Sequence, residues 1–288
     1  MSQTQIRPSS FWQQYVGLTI KEVKIQLRYP LSYISWFITI FLMIALFTIT
    51  AKLFIDPDDT SGTLTTGRLA TYIFWGFLAM SFFGDALFTL GSSLRNEQQT
   101  GTLETLFLYP MNHLANLLAK ISFATFSNVF FSFIGYGAIV YLTGAVQLEP
   151  LALPLFVCYL AQIYGLSFLL AGLSLKLKES IEPIVGFMQF AFMIFGGFFF
   201  PFAVLQTFVG ISFLIPMSYS IDLVRSVTFG TTPELASIAA GIFGNLSTFV
   251  VLEWAITVIL TVTLPVGGYR YFIRTLRKGR FSGTLSDY

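Results

Sequence analysis

The chain is poor in charge. Of its 288 residues 10% are Asp, Glu, Lys or Arg, against about 25% in an ordinary soluble domain, and 55% are hydrophobic. A surface so short of charge cannot face water on every side. There is one cysteine, Cys158, which cannot close an internal disulfide, and one histidine, His113, which leaves no His/Cys cluster for a catalytic metal. The net charge of +2 is too small for a sequence-independent grip on phosphate backbones, which argues against nucleic acid as a partner. No G-x-x-x-x-G-K-[ST] loop is present to hold nucleotide phosphates. The acidic run at Asp56, Asp58 and Asp59 lacks the ligand spacing and terminal glutamate of an EF-hand and reads as a solvated turn. Neither a catalytic residue nor a metal site is expected.

What is present is a series of long apolar runs. A membrane span needs about 20 mainly apolar residues, because about 1.5 Å of rise per residue must cross roughly 30 Å of hydrocarbon. Six stretches qualify: Leu31 to Phe54, Leu69 to Leu94, Ile121 to Leu142, Leu151 to Leu175, Ile184 to Phe200 and Leu246 to Val266, of which the fifth, at 17 residues, is marginal. None alternates like a barrel strand, and in lipid every backbone amide must be paired within its own segment. The fold class expected is an all-α integral membrane protein with six transmembrane helices.

Lys and Arg mark the cytoplasmic side. Thirteen of the 16 fall in residues 1–30, the segment 95–120, the connector 176–183 and the tail 267–288. Lys52, Arg68 and Arg225 fall on the other side, with Asp56, Asp58, Asp59, Glu149, Asp222 and Glu234. Both termini are therefore expected in the cytoplasm, and the first residues lack the pattern of a removable signal peptide. Residues 1–30 read as a cytoplasmic piece and 31–288 as one transmembrane domain.

From Phe11 to Tyr29, Gln14, Gly17, Lys21, Lys24 and Arg28 draw a polar stripe, and Trp12, Val16, Ile20, Val23 and Leu27 an apolar one. Such a helix lies in the membrane interface, its basic side toward lipid headgroups. Every cytoplasmic piece is shorter than the roughly 50 residues an independent domain needs, so any ATP hydrolysis that drives this protein belongs to another polypeptide. The segment 95–113 reads as a short amphipathic helix, with Leu103, Leu106 and Phe107 on one side and Gln99, Thr100, Thr102, Glu104 and Thr105 on the other. Gly101 permits a bend at its start and Pro110 breaks it from the next span.

After Phe200, the apolar run from Pro201 to Ile215 is too short to cross and is expected to enter the membrane and return. The Gly196-Gly197 pair offers close packing or a bend. Asp222 and Arg225, three apart, fit an exposed ion pair on one helix face worth under about 1 kcal/mol, which makes their role positional. Asp85 lies roughly 14 Å deep in the second span and Glu253 in the outer half of the sixth, where each must face protein or water. An interhelical hydrogen bond and an ion-coupling role are both open for them. Phe187, Phe190, Phe192, Phe195, Phe198, Phe199 and Phe200 either line a path for an apolar substrate or fill lipid-facing space.

Two motifs carry a resemblance. Glu97, Gly101, Thr102, Leu103, Glu104, Leu106 and Pro110 stand at the spacing E-x-x-x-G-T-L-E-x-L-x-x-x-P, and Pro216, Met217, Ser218, Tyr219, Asp222 and Arg225 at P-[LM]-[ST]-Y-x-x-D-x-x-R. Together with the break at Phe198 to Pro201 and the six-span plan, they resemble the type 2 ABC transporter (ABC-2) permease family, the second motif its drug-resistance and multidrug branch.

The resemblance implies one half of an ATP-driven exporter: two permease copies, expected to be a homodimer, over two separate ABC ATPase subunits that bind ATP and Mg. This chain itself would hold no cofactor and sit in the cell membrane. Glu97, Gly101, Thr102, Leu103, Glu104, Leu106 and Phe107 would form the coupling helix seated on the ATPase. The region 201–245, with Phe200, Pro201, Pro216, Asp222 and Arg225, would form a re-entrant cap on the outer side. The cargo implied is hydrophobic or amphipathic, with polysaccharide or glycolipid export as a variant. An ion-coupled secondary transporter using Asp85 and Glu253 is the reading from another class, although no repeat relates the two halves.

Overall fold

The computed structural model describes residues 10–28, 66–99, 113–143, 148–176 and 182–282, together with positions 31, 34, 38 and 42. The described residues are mostly helical, with no strand among them. In chain order they form α1 (Phe11–Leu27), α2 (Thr66–Gln99), α3 (His113–Thr143), α4 (Ala152–Lys176), α5 (Glu182–Phe195), a 3₁₀ segment (Phe202–Phe208), α6 (Val209–Ser212), α7 (Pro216–Phe229), α8 (Glu234–Phe243) and α9 (Leu246–Ser282).

Four of these helices are long and apolar enough to cross a membrane, through Arg68–Leu90, Leu114–Gly137, Ala152–Lys176 and Leu246–Lys278. The first expected span lies outside the described residues except at Leu31, Ile34, Ile38 and Leu42, which are exposed and spaced by three and four as on one helix face. The fifth expected span is shorter than its apolar run. α5 ends at Phe195 after 14 residues, about 21 Å of rise. Gly197 then takes φ +73°, and the Phe202 ring fills the place where its Cβ would be. Phe198 to Phe200 therefore belong to a bend rather than to the helix.

Three expected boundaries also move outward, at the end of α2, the start of α3 and the end of α9. α2 continues through Arg95 to Gln99, and α3 begins at His113, so both ends of the segment 95–113 are parts of long helices. Residues 100–112 lie outside the described ones. α9 runs past Val266 and Pro265 to Ser282, so most of the basic tail is a continuous helix. Phe272 and Leu276 on that extension are buried with Leu90, Leu117 and Phe168, which holds it against the bundle.

The centre of the bundle is α4. Its closest partner is α9, where Gly165 and Gly268 face each other so tightly that a Cβ on either would overlap the other helix's backbone. Between lipid-immersed helices the apolar solvent provides little drive to associate, and small residues that bring backbones together supply it through dispersion contacts. On the other side of α4, Tyr159 and Phe156 pack with Trp75, Phe82 and Phe83 of α2 and with Phe198 of the bend. The Tyr159 hydroxyl donates to the Ala79 carbonyl at 2.6 Å.

α1 packs on α3 and is pinned there by the Tyr15 hydroxyl, which donates to Ser122 Oγ at 2.7 Å. Its apolar stripe points away from the bundle: Trp12 is 67% exposed and Leu27 75%. An exposed row of this kind suits an interfacial helix whose apolar side is covered by lipid. Phe126, Phe130 and Phe133 of α3 and Val258, Ile259 and Val262 of α9 are likewise exposed, as lipid-facing positions are.

Candidate functional site

The densest polar chemistry lies where the bend after α5, the 3₁₀ segment and α7 to α9 meet the start of α2. α7 is placed by its own termini: Ile215 is extended ahead of Pro216 at the first turn, and Gly230 closes the last turn at φ +63°. This sets Asp222 and Arg225 inward. They are 2% and 5% exposed, so the expectation of an exposed pair is overturned. Nor do they bond to each other; each is taken up by backbone groups of other elements.

Arg225 reaches two carbonyls of the bend. One guanidinium nitrogen donates to Gly197 O and to the Tyr72 hydroxyl at 2.8 Å, the other to Phe198 O at 2.5 Å. Its plane lies over the Tyr72 ring, 3.5 Å from the centroid. The bend has no helical ladder, so its carbonyls need outside donors, and a guanidinium fork serves two at once. Gly76 makes room for this: a Cβ there would overlap the Phe198 carbonyl and touch the guanidinium.

Asp222 holds the start of α8. Pro233 precedes that helix and offers no side-chain cap. The Asp222 carboxylate instead accepts from the Glu234 amide at 3.0 Å and the Leu235 amide at 2.6 Å, and Glu253 of α9 accepts from the Ala236 amide at 3.1 Å. Glu234 in turn accepts from the Phe202 amide at 2.7 Å, which ties the 3₁₀ segment to α8. Burial pushes the Asp222 carboxyl up to about 6, against the pull of its two amides, and burial likewise lowers Arg225.

A cavity of about 270 Å³ opens beside these groups, lined by Arg68, Tyr72, Phe199, Phe202, Asp222 and Glu234 among others. One layer further in, Ser220 donates to Gln162 Oε1 at 2.9 Å, and Gln162 donates to the Thr257 carbonyl at 3.1 Å. These bonds tie α7 to α4 and α9.

Of the residues singled out from the sequence, Asp222, Arg225 and Glu253 come together here, and Pro216 and Pro201 frame the elements that carry them. Phe200 is exposed at the edge of the bend. The phenylalanines divide: Phe187 and Phe190 are exposed, whereas Phe198 is buried and Phe192 packs on Phe83 with ring centroids 4.7 Å apart. Asp85 stands apart, accepting from the Asn128 amide of α3 at 2.5 Å. Replacing it with asparagine preserves a partner for Asn128 and is expected to move the thermal midpoint by only a few degrees, corresponding to about 1 kcal/mol; a melting curve checks this. Glu97 lies in the last turns of α2, and Gly101, Thr102, Leu103, Glu104, Leu106 and Phe107 lie outside the described residues. Tyr72, Gly76 and Glu234 were missed as site residues, because nothing in an apolar run or a turn marks which residue a distant backbone will meet.

No group of three or more His, Cys, Asp or Glu that could hold a metal occurs among the described residues. The chemistry of the junction is that of fastening: charged side chains hold backbone ends that would otherwise be unpaired. Among curated proteins and among solved structures, nothing matches this chain. The family model for the ABC-2 type transporter matches residues 13–229, from the first turn of α1 to the last residue of α7. The chain belongs to the ABC-2 type transporter family, as a multi-pass membrane component of a transporter.

Proposed function

We propose that this chain is the permease subunit of an ATP-driven exporter that works as a homodimer with separate ABC ATPase subunits and moves a hydrophobic or amphipathic molecule outward. The observation that carries the reading is the family match, which covers both the α1 region and the α7 motif. The cargo, a drug-like molecule or a lipid, is taken from the likeness of the Pro216 to Arg225 motif to the drug-resistance and multidrug branch.

In this reading six spans form each half, both termini are cytoplasmic, and ATP with Mg is bound on the partner. Closure of the ATPase pair pushes the segment around Gly101 to Phe107 into α2 and α3, the two long helices that flank it. The junction around Asp222 and Arg225, at the far end of α2, makes the outer cap one fastened unit that moves as a body during alternating access. α1 rests in the cytoplasmic interface, on lipid and beside the ATPase.

The test is coexpression with the ATPase subunit. Glu104→Ala combined with Gly101→Pro is expected to cut substrate-stimulated ATP hydrolysis of the purified complex at least about tenfold, the loss that follows when about 1.4 kcal/mol of coupling is removed. Normal stimulation in the double variant means that this segment is not the coupling element. Transport by the reconstituted chain alone under a proton gradient would favour the ion-coupled alternative, a reading that the Asp85–Asn128 hydrogen bond does not require.

A further inference from the structure

The first turn of α8 carries two buried carboxyl groups from two different helices. Asp222 of α7 takes the amides of Glu234 and Leu235, and Glu253 of α9 takes the next, that of Ala236. Three successive amides of one helical turn open toward the same end, so both carboxyls are drawn to one place, within hydrogen-bond reach of each other. The two residues are 2% and 3% exposed, so water does not separate their charges.

The oxygens are unequally supplied. Both oxygens of Asp222 receive an amide proton, and so does Oε2 of Glu253. Oε1 of Glu253 is buried and receives none. As a carboxylate oxygen it would be a buried charge without a donor, beside another carboxylate. As the hydroxyl of a carboxylic acid it becomes the donor, with Asp222 facing it as acceptor.

The surrounding charge is close to balance. Arg225 on α7 and Arg68 on α2 line the adjoining cavity with Asp222 and Glu234, and Glu253 of α9 meets the same turn of α8. Tyr72 of α2 and Tyr219 of α7 complete the titratable groups around the pair. Two cations meet three carboxyls, and the helix terminus adds only about half a positive charge. Charge balance alone therefore does not call for a proton; the buried Glu253 oxygen without a donor, beside Asp222, does.

We propose that Asp222 and Glu253 form a proton-binding site in which a single proton, held between the two carboxyls, seats α8 on α7 and α9. Release of that proton as pH rises leaves two like charges on one buried helix end, and the first turn of α8 separates from them. The direction follows from the site: the seat is held on the acid side and lost on the alkaline side. The 3₁₀ segment, tied to α8 through Glu234, is released with it. The inference stands on this geometry and does not depend on the transport reading, and Glu253 lies beyond the segment that the family model matches.

The experiment uses the full chain in lipid nanodiscs. Amide exchange in the first turn of α8 is followed by mass spectrometry from mildly acidic to alkaline pH, after correction for the intrinsic rise in exchange rate. Wild type is expected to lose protection at least about tenfold, the equivalent of one pKa unit. Glu253→Gln carries an amide donor that pH cannot remove and is expected to show no such loss. A pH-dependent loss that persists unchanged in Glu253→Gln, or is missing from wild type, overturns the proposal. Asp222→Asn serves as the second variant: its NH2 group would face one of the two α8 amides that Asp222 accepts, so the first turn is expected to be loose at every pH and to show no further pH-dependent loss of protection. Infrared spectra of wild type at neutral pH need no variant to be decisive against it: the absence of a deuterium-sensitive carboxylic-acid C=O band overturns the proposal. A band that disappears in Glu253→Gln supports it, and one unaffected by that change overturns it.

Discussion

Arg225→Met is expected to lower the stability of the fold by about 3 to 5 kcal/mol, the range for removing one member of a buried charged network. Methionine keeps an unbranched apolar stem close to that of arginine's methylenes and donates no hydrogen bond, so the loss reports the guanidinium, both its bonds and the space it fills. Gly197 O and Phe198 O would be left buried on a bend with no ladder to take them up, and the Tyr72 ring would lose the cation above it. Asp222 and Glu234 would also lose the nearest compensating charge, Arg225 itself. Arg225→Lys keeps the charge but replaces the fork with a single point donor, so it is expected to recover only part of the loss and to sit about 2 kcal/mol below wild type. Thermal melting of the purified chain in detergent checks both. For a chain of this size the methionine variant should melt on the order of 10 °C lower, with lysine between. A methionine variant that melts with wild type means that the bend is held by something other than Arg225.

The contrast between what was legible and what was not follows the range of each interaction. α4 was read to within one residue at each end, because an apolar run bounded by polar residues is a local signal and lipid converts it directly into a helix. The amphipathic stripes of α1 were legible for the same reason. α5 was misjudged because its last residues are as apolar as the rest; the helix stops where the Phe202 ring occupies the space beside Gly197, a contact that composition does not record. The pair Asp222 and Arg225 was located through its motif but misplaced in environment. A spacing of three says that two side chains share a helix face, and says nothing of whether that face meets water or protein. Their partners at Tyr72, Gly197, Phe198, Glu234 and Leu235 are between 12 and 153 residues away, well beyond any local pattern. The segment around Gly101 was legible as a motif alone, and its seat on a partner rests on the resemblance.

Gly76→Ala tests the same junction from the side of α2. On helix propensity alone the change should help, by about 1 kcal/mol, since glycine is the poorer helix former. The new methyl group, however, would overlap the Phe198 carbonyl and crowd the Arg225 guanidinium. Overpacking costs about 1 to 3 kcal/mol where neighbours can yield, and here the neighbour is backbone held by hydrogen bonds, so the top of that range applies. The clash wins, and a net loss of about 2 kcal/mol is expected. Gly84 on the same helix provides the control. A Cβ there would meet the Gln189 amide at 3.1 Å, the end of a flexible side chain that can turn aside, so Gly84→Ala should leave the melting temperature unchanged or raise it. If Gly76→Ala acts by pushing the bend off α2, it removes the contacts that Arg225 makes. The double variant Gly76→Ala with Arg225→Met should then fall short of the sum of the two single losses by at least about 1 kcal/mol, as coupled neighbours do. Additive losses would mean that Gly76 and Arg225 support separate contacts, and that the bend is fastened to α2 and α7 independently.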